Sequence, residues 1–137
     1  MVVPAGQPGL GFYQARAYQR GRLPKYLGPT PRPPKLLARW GTAAVPTLTE
    51  DILSAAKIGM VAEGWAVLGT TVSDHMVAEL MKRGRCNVWL DPDAAGRRGA
   101  AKIGKRLRAY GVEVRDIVSV RDPKLHTFQE IKDYLTA

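Results

Sequence analysis

Asn87-Val88-Trp89-Leu90-Asp91-Pro92-Asp93-Ala94-Ala95-Gly96-Arg97-Arg98 is an apolar run that stops at two aspartates and turns into a basic, alanine-rich segment. The pattern predicts a buried strand, a tight turn and a helix, the local unit of an α/β fold. Asp91 and Asp93, one residue apart at the carboxyl end of such a strand, are placed to direct hard oxygen ligands at one Mg²⁺ ion. In an open α/β sheet this edge is also where ligands bind. The competing reading is an ordinary strand-to-helix turn, since Asp and Pro suit turns and an Asp at a helix start caps it and complements its dipole. The motif alone does not choose between them; its neighbours must.

Those neighbours alternate short apolar runs with helical periods. Ala43 to Thr49 predicts a first strand ending at Glu50; Pro46 inside it lacks the N–H that a central position needs, so the strand should be short or bulged there. Asp51 to Ala62 has apolar residues at Ile52, Ala55, Ala56 and Met60, a helical spacing. Trp65 to Leu68 predicts a second strand, followed by a Gly69-Thr70-Thr71 loop. Ser73 or Asp74 can cap a helix through Arg83, with Met76, Val77, Leu80 and Met81 inward and Gly84 ending it. Cys86 to Leu90 is the third strand, and Ala95 to Tyr110 the longest helix, with Ala100, Ile103, Leu107 and Tyr110 on its core face. Val112 to Val120 predicts a fourth strand and Thr127 to Leu135 a closing helix, with Phe128, Ile131 and Leu135 inward.

Four β-α units with nearly continuous apolar strands imply a four-stranded parallel sheet covered by helices on both faces. Right-handed crossovers then bring every strand's carboxyl end to one rim. Glu50, Asp91, Asp93 and Asp122 converge there, and carboxylates so placed repel one another unless a cation lies between them. This convergence favours the metal site over the simple turn.

The 137 residues suit one domain with a proper core plus a short appended segment, and 45% hydrophobic with 24% charged residues is an ordinary globular composition. No run of 18 apolar residues escapes a charge, and prolines and glycines interrupt the first ten residues where a signal segment would stand, so a cytoplasmic protein without a membrane partner is expected. The single cysteine, Cys86, excludes an internal disulfide or a Cys-rich zinc ribbon and reads as a small buried strand residue.

The net charge of +9 and pI near 10.1 point to a polyanionic partner. Seven of the 21 basic residues and none of the 12 acidic ones fall in residues 1–49, so the excess is concentrated in a basic arm, as phosphate-backbone contact requires. Within that arm, Gly11 to Tyr18 and Leu23 to Leu27 predict a small basic hairpin. Pro29-Thr30-Pro31-Arg32-Pro33-Pro34 predicts an extended linker. The expected organisation is therefore a hairpin segment over 1–28, a linker over 29–42 and the α/β domain over 43–137.

Thr49-Glu50-Asp51-Ile52-Leu53-Ser54-Ala55, Trp65-Ala66-Val67-Leu68-Gly69-Thr70-Thr71 and Asp91-Pro92-Asp93-Ala94-Ala95-Gly96-Arg97 resemble the glutamate motif, second strand with its Gly-Thr loop, and aspartate motif of one family. It is the Toprim domain of bacterial DnaG-type primases and of phage helicase-primases, and the likeness spans most of residues 10–135. Pro92 is the phage form of a position that is usually Gly in bacterial primases. Gly11-Phe12-Tyr13-Gln14-Ala15-Arg16 and Pro24-Lys25-Tyr26-Leu27 look like two basic motifs of the primase-specific subdomain, here much abbreviated. Where the family has a second acidic pair, this chain reads Asp122-Pro123-Lys124, and it has neither a zinc ribbon nor a helicase phosphate loop.

The resemblance implies a nucleotidyltransferase dependent on Mg²⁺ (or Mn²⁺) that joins ribonucleoside triphosphates into short primers on single-stranded DNA during replication. Asp91 and Asp93 would hold the ions, Glu50 would bind metal or move a proton, and Asp122 would add a ligand directly or through water. Arg16 and Lys25 would contact the triphosphate or template; on the long helix, Arg98, Lys102, Lys105 and Arg106 form a basic face opposite the core face that can touch nucleic acid, and Arg97 is a further nucleic-acid candidate. A replicative helicase and a separate zinc-binding template reader would be the partners, in a bacterial or phage-infected cell. The alternatives are a Toprim nuclease using the same acids, or a non-catalytic module that binds nucleic acid or a replication protein. A topoisomerase is the less expected reading, since these 137 residues have no room for the separate domain that carries a cleaving tyrosine.

Overall fold

The computed structural model describes the strands β1 (Val2–Pro4), β2 (Tyr13–Arg16) and β3 (Tyr26–Leu27), and residues 38–137 throughout. The first three strands form an antiparallel sheet in the order β1-β2-β3, with Ala15 opposite Leu27 and Arg16 opposite Tyr26. The predicted hairpin is present as β2 and β3, and β1 adds a third strand to it. The Pro-rich residues 29–37 lie outside the described residues.

The main sheet contains β4 (Ala38–Gly41), β5 (Thr47–Thr49), β6 (Glu63–Ala66), β7 (Arg85–Val88) and β8 (Glu113–Asp116) in the order β4-β6-β5-β7-β8. β6, β5, β7 and β8 are mutually parallel, as the alternating pattern predicts. β4 is antiparallel to β6, pairing Ala38 with Ala66 and Gly41 with Glu63. It occupies the end of the stretch assigned to the linker, so the sheet has five strands and an antiparallel edge. β5 is only three residues long and begins immediately after Pro46, which has no N–H for the ladder but accepts from Asn87 N at 2.9 Å.

Alternation along β6 sorts the core into two faces. Trp65 and Val67 join Leu48, Val88 and Leu90 beneath α2 (Asp74–Arg83) and α3 (Ala94–Ala109), with Met76, Leu80, Ile103 and Leu107 closing that layer. Ala66 and Leu68 point to the other face, against Ala38 of β4 and Ile52 and Ala55 of α1 (Ile52–Gly59). Farther along this second face, Trp89, Ile58 and Ile117 meet Ile131 of α4 (Phe128–Thr136). Burying Trp65 on one face and Trp89 on the other stabilises each layer by about 2–3 kcal/mol per side chain.

The caps follow the residues that announce them. Ser73 accepts from Met76 N at the start of α2, and Gly84 ends it in the left-handed region, at φ 79°. Thr127 and Glu130 form a reciprocal capping box at the start of α4. Three residues expected inside are exposed instead: Met81 at 49%, Tyr110 at 52% and Phe128 at 42%. Each lies at the flank or end of its helix, where Leu80, Leu107 and Ile131 already fill the core-facing arc. Cys86 is buried in β7, and burial pushes its thiol up to about 12.

Candidate active site

The chain leaves β5 for β6 through α1 and leaves β7 for β8 through α3. β5 and β7 are neighbours, so the two connections depart in opposite directions and their helices cover opposite faces. A crevice at the carboxyl ends of such a strand pair is the ligand site of open α/β sheets. Glu50 follows β5 directly and Asp91 follows β7 by three residues, so the two acids stand at this switch point.

Backbone contacts fix both. Val67 N donates to Thr49 O at 2.8 Å and Gly69 N to Glu50 O at 3.2 Å, so the Gly-Thr loop holds the glutamate's main chain. Leu68, just before that glycine, adopts a positive φ of 58°, a conformation that costs about 1 kcal/mol or more in a non-glycine residue. Its buried side chain holds it there. On the other side Trp89 N donates to Leu48 O, and the indole, fully buried, donates to Ser119 Oγ at 2.8 Å. Gly96 permits α3 to start against the aspartate loop, because a Cβ there would fall 2.0 Å from Asp91 O.

Glu50 Oε2 and Asp91 Oδ1 are buried without any hydrogen-bond donor. Burial, followed by the charges of Asp91, Asp93 and Asp51, pushes the Glu50 carboxyl up to about 7, against the opposing pull of Lys124. Burial likewise pushes Asp91 up to about 6; Lys124 counters it, and Asp122, Asp51 and Asp93 add to it. Asp93 is more exposed and caps α3, its Oδ1 accepting from Gly96 N at 2.7 Å. Asp122 accepts from Lys124 Nζ at 3.1 Å. The sequence expectation that these four acids share one rim therefore matches their placement, with Glu50 and Asp91 forming the unsatisfied pair.

Among the described residues, no three acidic, His or Cys side chains close around one point as a ready-made metal cage. That arrangement still suits Mg²⁺, which keeps several waters and is held by one or two carboxylates together with substrate phosphates. Two donor-free buried carboxylate oxygens are hard ligands, and a cation would offset the burial and the neighbouring negative charges that raise both groups. The residues present fit the ion.

Beside Asp91 opens a cleft of about 310 Å³ between α3 and the segment after β8, with Leu90, Pro92, Ala100, Ile117 and Val118 in its largely apolar walls. Arg97 lies at its edge, its Nε donating to Pro92 O at 3.0 Å. Arg98, Lys102 and Lys105 are exposed along α3. Arg106 departs from that expected face: it donates to Val72 O at 2.6 Å and pairs with Asp74, tying α3 to α2. Arg16 closes β2 opposite Tyr26, whereas Lys25 lies outside the described residues.

Two participants escaped the sequence reading. Asp51, beside Glu50, is the N-cap of α1 and accepts from Ser54 N at 2.8 Å. Lys124, 12% exposed, donates to Asp51 Oδ2 at 2.8 Å and to Asp122 Oδ2. Burial works against its charge, but these two carboxylates win and raise its pKa. The only signal in the sequence was a lysine two residues after Asp122, in the place of the family's second acidic pair.

A five-stranded, mainly parallel sheet with coupled acids at its switch point defines a Toprim-type α/β domain. The Toprim-like family profile matches residues 49–126, more than half of the chain and the whole of the acidic site, and the protein belongs to that family. Among solved structures, the zinc-binding and RNA polymerase domains of the Aquifex aeolicus primase share the fold at a TM-score of 0.73 and 19% identity, over 98% of this chain. The match covers 38% of the Aquifex chain, so this protein spans well under half the length of that relative. No curated protein matches the chain significantly. Among the described residues no helix is long and apolar enough to cross a membrane.

Proposed function

We propose that this chain is a primase catalytic core that joins ribonucleoside triphosphates into short RNA primers on single-stranded DNA, using Mg²⁺ or Mn²⁺. The observation that carries this reading is the pair of buried, donor-free carboxylate oxygens of Glu50 and Asp91 at the switch point of a Toprim-like sheet. In the reaction the 3′-oxygen of one nucleotide bonds to the α-phosphorus of the next, the bond to pyrophosphate breaks, and the hydroxyl proton is lost. A divalent ion, when bound, neutralises charge on the attacking and leaving oxygens.

Glu50, Asp91 and Asp93 would hold that ion, with Asp122 behind them toward Lys124. Alternatively, Glu50 would move the proton to or from the hydroxyl or leaving group. Arg97, Arg98 and Lys102 extend positive charge from the site along α3 for template or triphosphate, and Arg16 and Lys25 of the N-terminal arm are proposed to bind the same anions. The Aquifex protein carries a zinc-binding domain, whereas Cys86 is this chain's single cysteine, so a separate zinc-binding template reader and a replicative helicase are the partners proposed.

The test is incubation with ribonucleotides, Mg²⁺ or Mn²⁺ and single-stranded templates, with and without a partner helicase. Template-dependent oligonucleotides lost in Glu50→Gln and Asp91→Asn support the reading. No product under any of these conditions overturns it; DNA degradation without nucleotides points to a Toprim nuclease, and DNA binding indifferent to metal and to both variants points to a non-catalytic module.

A further inference from the structure

The acidic rim is divided into two unlike halves. On one side, Asp51 and Asp122 share the Lys124 ammonium at 2.8 and 3.1 Å. Asp51 spends its other oxygen on Ser54 N and also receives the Ser54 hydroxyl at 3.4 Å. Lys124 is itself fixed: Pro123 starts the short 3-10 turn Pro123–Leu125, Leu125 N donates to Asp122 O at 2.9 Å, and Lys57 Nζ donates to Lys124 O at 2.9 Å. On the other side, Glu50 and Asp91 each retain a buried oxygen with no donor.

Building on the metal-dependent reading, we infer that Lys124 is a resident cation of the acidic rim, so that the site binds one divalent ion, at Glu50, Asp91 and Asp93, and not two. An ion joining the ends of β5 and β8 would need carboxylate oxygens of Asp51 and Asp122, and Oδ2 of each already accepts from an ammonium of the turn after β8. Admitting a second divalent ion there would require displacing a nearly buried lysine from two charge-assisted hydrogen bonds, which are the strong kind. The Glu50–Asp91 side asks for the opposite, since each carboxylate keeps a buried, donor-free oxygen that a cation from outside would satisfy. Lys124 would thus stabilise charge permanently from one side, while the exchangeable ion serves the other.

Titration of the full chain with Mn²⁺, reading free ion by electron paramagnetic resonance and heat by calorimetry, tests this without relying on activity. The wild type and Lys124→Arg should bind one ion per chain, and Glu50→Gln should lose it. Lys124→Ala should bind two, the first about tenfold more tightly because a positive neighbour is gone. Two ions in the wild type, or one ion with unchanged affinity in a folded Lys124→Ala, overturns the inference. Because the wild-type count decides by itself, the test survives if Lys124→Ala fails to fold. No Mn²⁺ bound by the wild type overturns both this inference and the metal-dependent reading, whereas two ions overturn the role of Lys124 alone.

Discussion

Glu63 and Glu50 are both glutamates of the central sheet at opposite ends of adjacent strands, and their surroundings are opposite too. Glu63, at the start of β6, is 1% exposed and saturated with donors: Ala43 N at 2.9 Å, Trp65 Nε1 at 2.8 Å and the Arg83 guanidinium at 2.8 and 3.1 Å. Burial alone would raise its pKa, but these donors bring it below the ordinary glutamate value. Glu50, at the end of β5, has a donor-free buried oxygen and acids for neighbours, and its pKa rises to about 7. One carboxylate is finished by the fold, and the other is left for something that binds. The difference distinguishes a charge that holds the fold together from one that is a candidate for binding.

Substitutions should divide along the same line. Under the proposed function, Glu50→Gln or Asp91→Asn should lower primer synthesis by about a thousandfold, as expected when charge stabilisation at the reacting oxygens is lost. Chemical denaturation should find both variants as stable as the wild type or more so, because each removes a repelling, poorly solvated charge. A large loss of stability would show that these acids, too, are structural.

Glu63→Ala should do the reverse. It strands Arg83, the Trp65 indole N–H and Ala43 N, and should cost about 3 kcal/mol of folding stability in urea titrations. Mn²⁺ affinity of the folded fraction should be unchanged.

Gly96→Ala sits between these cases. Its Cβ would collide with Asp91 O, so the aspartate loop must shift; a loss of about 2 kcal/mol in stability, with weaker Mn²⁺ binding, is expected from calorimetry. Normal metal affinity in this variant would mean that the loop's position does not matter.

The smallest effect expected is with pH. In the ion-free protein Glu50 holds its proton up to about 7 against an ordinary 4.5, and Asp91 up to about 6 against 3.8. The folded state therefore binds protons more tightly than the unfolded one. The contribution of these two groups to stability is greatest in acid, falls as pH rises through roughly 4 to 7, and is lowest above 7. Protons compete with metal over the same range, so Mn²⁺ affinity should weaken about tenfold between pH 8 and pH 6. In Glu50→Gln the stability trend should flatten.

Local signals carried the sequence reading a long way. Ser73, Gly84 and the Thr127–Glu130 box mark helix ends through bonds made within a few residues, and the β-α alternation alone implies that strand ends share a rim. What escaped depends on distant partners. Ala38-Arg39-Trp40-Gly41 is a strand because Glu63 to Ala66 offers it a free edge, and nothing within those four residues announces that. Met81 and Phe128 read as core residues because helical periodicity gives a face, not how wide a stripe the sheet covers. Lys124 looked like a departure from an acidic motif; only the convergence of the ends of β5 and β8 gives it Asp51 as a partner, 73 positions away.

The central claim is that the unsatisfied half of the rim is a metal site. A crystal of the full chain soaked in Mn²⁺ and measured at the manganese absorption edge tests it directly. The account predicts one anomalous peak in contact with Glu50 and Asp91, with Lys124 still bonded to Asp51 and Asp122. A crystal with no peak there, or with Mn²⁺ bound only elsewhere, would contradict it.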